Sequence, residues 1–396
     1  MFLSAMSVAL LSSLAASGPF AQSAAPGNGA IVRSDPKITE VRLEVDLYSI
    51  VPTNVIDDAR IVGQSFHFRQ VEVGVPVLLR TSWCDTDFDK LAAQAWVDGL
   101  ELRFDRAKFF ERPAAGQQAI LRYTLDTGRN DFAQLRTQAT YLVQRWDVSV
   151  DERAAAAVTW PREWPTETQA FLGREFGINP EDEAIKSLAS GASPGGPRAV
   201  TPFFAARNSV VAVLARWKSL TGSSGERNPD RSLRGFAFST GTWGLAAGKG
   251  SAVELCATCV AAIRSTGIPS RMVHGLRTEA GGNDKSRVEF HTICEFFLPD
   301  TGWVPFDPLE MRSNGAATKS GSAPIKGFAN VTDLRKVLPL AYTMVPEGYQ
   351  KADRYALWGA RFGQGSVDSD GATSRVLLSE TSRGNGKVKS MPAPVN

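Results

Sequence analysis

Residues 248–268 read GKGSAVELCATCVAAIRSTGI, and this stretch gives the clearest indication of the fold of the second half of the chain. A glycine-rich approach leads into a run compatible with a helix that begins near Ser251 and stops at Thr266-Gly267. Two strands and a strand end follow, at 270–275, 288–298 and 303–308. This order indicates a mixed α and β domain with a histidine, His291, on one strand and an aspartate, Asp307, on the next.

Three sequence blocks follow one another in this region. They are Arg264-Ser-Thr-Gly-Ile-Pro-Ser-Arg271-Met-Val273, His291-Thr-Ile-Cys-Glu295, and Gly302-Trp303 with Asp307-Pro308. In this order they resemble the Arg-x-x-Gly-Ile-Pro-Ala-Arg-x-Val, His-x-Trp-x-Glu, Gly-Trp and Asp-Pro blocks of the transglutaminase-like superfamily. Ile293 replaces the tryptophan of the second block, which suggests that the groove has changed shape. The resemblance extends over residues 169–310 and implies a papain-like α+β fold.

The position of the family's nucleophile is changed in this chain. In the family, the reactive cysteine opens the helix, twelve residues before the arginine that corresponds to Arg264. Counting back twelve residues from Arg264 reaches Ala252, and its neighbours Ser251 and Val253 offer no thiol either. The resemblance therefore predicts a degenerate Cys-His-Asp centre in which Ala252 marks the missing nucleophile.

The resemblance assigns roles to the remaining members of this centre. A thiol at a helix amino end is deprotonated easily, because the unpaired N–H groups and the helix dipole favour an anion. His291 would be the base that takes the proton, and Asp307 would accept the other ring N–H and fix the tautomer. An alanine methyl cannot act as a nucleophile, and deletion of a triad nucleophile typically costs on the order of 10⁶ in rate.

Other side chains can be considered as substitutes for the nucleophile. Cys256 lies one helical turn after Ala252 on the same face, about 6 Å further along the axis and away from the activating helix end. Cys259 is farther still, and Cys294 is turned to the opposite strand face from His291 by alternation. Ser251 is rotated by about 100° around the helix, which makes it a poor candidate. Cys256 is the one substitute that we keep open.

The first part of the chain carries strand patterns. Val41 to Leu47 and Val71 to Val77 alternate apolar with other residues, and Asp98-Gly99 is a hairpin turn signal. We expect an antiparallel β-sandwich over 38–160, followed by the transglutaminase-like domain over 169–360. The end of the chain, 363–396, is poor in apolar residues and is predicted to be a polar tail, surface-bound or disordered.

The amino-terminal residues and the composition limit localisation and partners. Residues 1–25 are apolar and rich in serine and alanine, which predicts a secretory signal peptide and a secreted or periplasmic protein with no membrane span in the mature chain. The net charge is only +3, so no electrostatic footprint for nucleic acid exists. No second CxxC or histidine pair accompanies Cys256 and Cys259, so neither a metal site nor a cofactor is expected.

Three functional hypotheses follow. The first is a binding module whose cleft grips peptide, protein or amide-bearing cell-envelope material without cleaving it. The second is an active thiol peptidase, amidase or transglutaminase, acting through a cysteine thioester if Cys256 substitutes or if Ala252 is an introduced change. The third is a thiol-redox protein that uses Cys256 and Cys259.

Overall fold

The structure is a computed structural model of the full chain. It describes residues 30–49, 69–105, 108–110, 118–128, 132–221, 225–228, 232–236, 238, 241–278, 288–318, 323–344, 349, 356–362 and 372–385. The predicted signal peptide at 1–25 lies outside the described residues, as do 363–371 and 386–396 of the predicted tail. No helix in the described part of the chain is long and apolar enough to cross a membrane.

Sixteen strands and seven α-helices make up these residues. The strands are β1 Ile31–Ser49, β2 Gln70–Leu78, β3 Cys84–Val97, β4 Leu100–Glu101, β5 Gln118–Asp126, β6 Gln134–Val150, β7 Ser219–Leu220, β8 Glu226–Arg227, β9 Leu233–Gly235, β10 Lys249–Gly250, β11 Ser270–Thr278, β12 Val288–Leu298, β13 Gly302–Phe306, β14 Val337–Ala341, β15 Gly359–Phe362 and β16 Ala372–Asn385. The helices are α1 Glu152–Ala156, α2 Thr166–Gln169, α3 Glu183–Gly191, α4 Pro202–Arg216, α5 Gly241–Ala247, α6 Ala252–Ser265 and α7 Pro308–Ser313.

Two antiparallel sheets form the amino-terminal part, as the alternation predicts. The larger sheet has the order β4-β3-β6-β1-β16-β9-β8, and the smaller has the order β15-β2-β5. Val41 and Val73 exemplify the inward positions of the two sheets, since they are 0% and 1% exposed and share one hydrophobic core. Asp98 and Gly99 both adopt positive φ, 43° and 82°, in the turn between β3 and β4.

The carboxy-terminal residues correct the expectation of a polar, surface-bound or disordered tail. Ala372–Asn385 form β16, which pairs with β1 on one side and with β9 on the other. Among the apolar residues of this strand whose side chains the structure describes, Val376 and Leu378 are buried and Leu377 is partly exposed. A central strand with one polar face needs few apolar side chains, because its neighbours satisfy its backbone groups. The sandwich therefore includes residues from the end of the chain.

The second part is built around α6 and a four-stranded antiparallel sheet. This sheet has the order β13-β12-β11-β14, and α6 packs on both β11 and β12. Every residue from Val253 to Arg264 in α6 is buried. The helix ends at Ser265 with Thr266 as its C-cap, and Gly267 follows with φ 82°, a conformation that favours glycine. This arrangement confirms the α+β class.

Candidate active site

The amino end of α6 is closed by a capping box. The Ser251 hydroxyl accepts a hydrogen bond from the Glu254 N–H at 3.3 Å, and the Glu254 carboxylate accepts one from the Ser251 N–H at 2.7 Å. The serine that begins the helix in the sequence prediction is therefore its N-cap. Among the described residues, the N–H groups of Ala252 and Val253 have no acceptor, so they remain available to an oxyanion.

Ala252 is the first residue of α6 and the only partly exposed one before Ser265. Its side chain is a methyl group, which has no atom that can act as a nucleophile. The approach to this point is tight: a Cβ added at Gly250 would lie 2.7 Å from Cζ2 of Trp217. The same Cβ would lie 2.7 Å from Oε2 of Glu254, so a side chain at position 250 would collide with both the indole ring and this carboxylate.

His291 and Asp307 form a hydrogen-bonded pair. His291 Nε2 lies 3.0 Å from Asp307 Oδ2, and the two side chains are 12% and 6% exposed. A carboxylate can only accept, so Nε2 carries the proton and Nδ1 is left as the basic atom of the ring. The structure thus brings together the two residues that the sequence places sixteen positions apart.

Asp307 is fixed by a second task. Its Oδ1 accepts hydrogen bonds from the N–H groups of Leu309 at 2.8 Å and Glu310 at 3.2 Å, which makes it the N-cap of α7. Its own N–H donates to the Gly327 carbonyl at 2.8 Å. One carboxylate oxygen therefore caps α7 while the other orients the His291 imidazole. The carboxylate cannot rotate without losing one of these hydrogen bonds.

The cysteines are buried and unoxidised. All four, Cys84, Cys256, Cys259 and Cys294, are free thiols at most 2% exposed. The Cys256 sulfur lies 3.7 Å from the Thr292 carbonyl, and the Cys294 sulfur lies 3.9 Å from the Cys256 carbonyl. Burial raises the pKa of Cys84 to about 12 and raises the pKa values of Cys259 and Cys294 well above the ordinary value. Such burial opposes thiolate formation at these three positions.

A buried ion pair supports the strand that carries His291. Arg271 of β11 contacts Glu295 of β12 at 2.8 Å, and the pair is joined by Ser82, whose hydroxyl donates to Glu295 at 2.8 Å. The Arg271 guanidinium also stacks on Trp303 at 3.8 Å and on Tyr342 at 4.3 Å. Ser82 and Tyr342 escaped the sequence analysis, because a lone serine and a lone tyrosine far from the motifs give no signal.

The second histidine of this sheet, His274, is buried. His274 donates or accepts through Nδ1 at 2.9 Å from the Thr292 hydroxyl, and burial lowers its pKa to about 3, so it is neutral at physiological pH. Its role is packing.

Trp243 lies on α5 and is 50% exposed. Among the described residues, no cluster of three or more His, Cys, Asp or Glu side chains could hold a metal ion.

The comparisons with known proteins agree with this architecture. Residues 227–308 match the Transglutaminase-like superfamily. The chain is similar to the crystal structure of a candidate cysteine protease from Cytophaga hutchinsonii, with a TM-score of 0.52 and 12% identity over 90% of this chain and 94% of that chain. It is also similar to the periplasmic domain of TgpA from Pseudomonas aeruginosa, with a TM-score of 0.29 and 12% identity over 70% of this chain and 91% of that one.

Only the first likeness bears on the fold, because the second has a low TM-score. No curated protein sequence matches the chain. The matched segment contains α6, β11, β12 and β13, and it ends at Pro308, directly after Asp307. Residues 227–308 are a domain of the transglutaminase-like superfamily, set in a papain-like α+β architecture beside antiparallel sheets.

Proposed function

We propose that this chain is an exported transglutaminase-like protein that binds peptide or amide-bearing cell-envelope material without thiol catalysis. The observation that carries the proposal is the pair of His291 and Asp307 at 3.0 Å, kept while Ala252 begins the helix. The base His291 and the carboxylate of Asp307 are held in place, but the residue at the start of the helix has a methyl group where a thiol would be needed. Binding groups therefore remain without the nucleophile.

The direction of α6 along β12 supports the proposal that Ala252, His291 and Asp307 lie close together. Val260 accepts a hydrogen bond from Ser270, which is paired with Phe296, whereas Cys256 contacts Thr292 and Cys294. Four helical residues rise about 6 Å, close to two strand residues at about 3.3 Å each. One turn before Cys256, Ala252 is therefore level with residues 290–291 of β12.

The amino end of α6 can approach the His291 ring because β13 does not extend along the whole of β12. Pairing between β12 and β13 stops at Cys294 with Phe306, so β12 has no strand neighbour on this side at Thr292. The Cys256 sulfur contacts the Thr292 carbonyl in this region. We infer that the amino end of α6 and the His291 ring meet around this edge, with Asp307 behind the ring.

The chemistry available to such a cleft is recognition of an amide. The N–H groups of Ala252 and Val253 would donate to the amide carbonyl oxygen, with the positive end of the α6 dipole behind them. Nδ1 of His291 would accept the amide N–H. No atom at position 252 can bond to the carbonyl carbon, so the bound amide is released unchanged.

The second candidate is a thiol enzyme in which Cys256 substitutes. The similar structure from Cytophaga hutchinsonii is described as a candidate cysteine protease, which is the reason for considering a thiol enzyme. Cys256 is 0% exposed and lies about 6 Å further from the helix end, which places it away from substrate and activating dipole. A native cysteine at position 252 would make the enzyme reading correct, and the present residue is Ala252.

Alkylation kinetics and binding together test the proposal. On the folded wild-type protein, iodoacetamide should label all four thiols more slowly than free cysteine, because they are buried. Calorimetry with an unlabelled glutamine-containing peptide should show binding, weakened at least tenfold by His291→Ala. One thiol alkylated faster than free cysteine, with a rate that follows a single pKa, would support the enzyme instead.

Export is the part of the proposal that rests on the sequence of residues 1–25. When the full chain is expressed with its own leader in a bacterium, the protein should be recovered from the periplasm or the medium. Its mass should be lower by that of about 25 residues. Recovery of uncleaved protein from the cytoplasm would remove this part of the proposal.

A further inference from the structure

A small ribbon adjoins the amino end of α6. β7 and β10 form a two-stranded parallel sheet in which Ser219 pairs with Lys249 and Leu220 pairs with Gly250. Gly250 directly precedes Ser251, the N-cap of α6. We call residues 216–221 and 243–250, which comprise the ribbon and most of α5, the ribbon surface.

The ribbon surface is basic. Arg216, Lys218 and Lys249 are exposed, and none of them has an ion-pair partner among the described residues. Arg312 of α7 donates to the carbonyls of Trp217 and Lys218, which adds a fourth cation against the ribbon. Neither 216–221 nor 243–250 contains an aspartate or glutamate. The acid next to the ribbon is Glu254 of α6, which is buried and hydrogen-bonded to the Ser251 N–H, whereas Arg216, Lys218 and Lys249 are exposed. The exposed charge of the ribbon surface is therefore positive.

The same surface exposes two large apolar side chains. Leu220 is 42% exposed and Trp243 is 50% exposed, whereas most large apolar residues in the described chain are buried. Each has a backbone neighbour that packs on the buried Trp217 ring. Gly250, the partner of Leu220, and Gly244, which follows Trp243, would place an added Cβ 2.7 Å and 2.4 Å from that ring. Leu220 and Trp243 thus offer apolar area that a partner side chain can cover, next to exposed cations.

We infer that the ribbon surface binds an acidic peptide segment next to the amide held in the cleft, with Leu220 and Trp243 receiving an apolar side chain of that segment. The inference rests on the proposed function and specifies its ligand class. Charge complementarity selects aspartate and glutamate as the acidic residues of that segment. Arg216, Lys218 and Lys249 pair with the carboxylates.

Fluorescence anisotropy with three matched peptides tests this inference. The first is fluorescein-labelled and contains one glutamine, several glutamates and leucines; the second has glutamine for every glutamate; the third has serine for every leucine. We expect the full-length protein to bind the first roughly tenfold more tightly than either copy at low salt, with the advantage over the glutamine copy reduced at high salt.

Surface variants provide the matched controls. The double variant Lys218→Glu, Lys249→Glu should abolish the preference for glutamate, whereas Lys90→Glu, an exposed lysine on β3, should leave it unchanged. Leu220→Ser should abolish the preference for leucine, and Leu100→Ser, at 66% exposed in β4, should not. None of these positions carries a proposed role in the cleft.

The outcomes separate this inference from the proposed function. Suppose that all three peptides bind equally and that only His291→Ala abolishes binding. This result would support binding in the cleft and would contradict binding of an acidic segment by the ribbon surface. Binding of phosphatidylglycerol vesicles that depends on Lys218 and Lys249, without any peptide preference, would also overturn it in favour of a membrane. Absence of binding to every peptide would remove the proposed function itself.

Discussion

Arg271 and Glu295 face each other across β11 and β12 at 2.8 Å, with side chains only 4% and 0% exposed. Ser82 from the loop before β3 donates to the free oxygen of this carboxylate. The ion pair thus joins the sandwich to the strand that carries His291. Removal of one partner leaves a buried charge uncompensated, which typically costs 3–5 kcal/mol.

We therefore predict that Arg271→Met lowers the free energy of unfolding by about 3 kcal/mol or more, as measured by urea denaturation. Glu295→Leu alone should cost a similar amount. The double variant should recover much of the loss, because a neutral pair leaves no isolated charge. Additive losses in the double variant would show that the two side chains act independently.

The buried His274 predicts a pH dependence of stability. Its pKa falls from 6.5 to about 3 on burial, so the unfolded chain binds a proton that the folded protein does not bind between these values. The stability from this group is complete above pH 6.5 and is lost as the pH falls toward 3, by about 1.4 kcal/mol per pH unit. Between pH 6.5 and 5, we expect urea denaturation to show about 1.6 kcal/mol more loss in the wild type than in His274→Asn. Parallel pH profiles for the two proteins would contradict this assignment.

The position of β16 between two strands predicts that its removal destabilises the sandwich. Removal of residues 372–396 takes β16 from between β1 and β9 and exposes two strand edges. We expect this truncated chain to lose its cooperative thermal transition in circular dichroism. A cooperative transition in the shorter chain would show that the sandwich forms without β16.

Local sequence signals predicted the elements that depend on near neighbours. Ser251 and Glu254 satisfy each other within three residues, so the start of α6 is visible in the sequence. Asp98 and Gly99 likewise define the β3–β4 turn by their own preference for positive φ. The pairing of His291 with Asp307 was predicted by resemblance to a family, since spacing alone does not fix two strands side by side.

Non-local pairings could not be predicted in the same way. β16 reaches β1 across more than 300 residues of chain, and its few apolar residues resemble those of a solvated tail. Ser82 contacts Glu295 across 213 residues, and only the folded structure brings them together. Sequence patterns report the face that an element buries, but they do not report its distant partner.

The orienting role of Asp307 can be separated from its capping role. Asparagine is as good an N-cap as aspartate, so Asp307→Asn should change the unfolding free energy by less than about 1 kcal/mol. In a background with Ala252→Cys, it should lower acyl-transfer turnover by about 10⁴, because the amide no longer holds the productive imidazole tautomer. Asp307→Ala should lose both the cap and the activity. Full turnover in the asparagine variant would show that Asp307 serves α7 alone.

The most direct measurement is acyl transfer by the Ala252→Cys variant, with glutamine-amide hydrolysis and incorporation of a labelled amine followed together. The account predicts that the wild type is inactive, that the variant gains both activities, and that Ala252→Cys with His291→Ala loses them. Activity in the wild-type protein, or an inactive but folded Ala252→Cys variant whose new thiol is no more reactive than free cysteine, would contradict it.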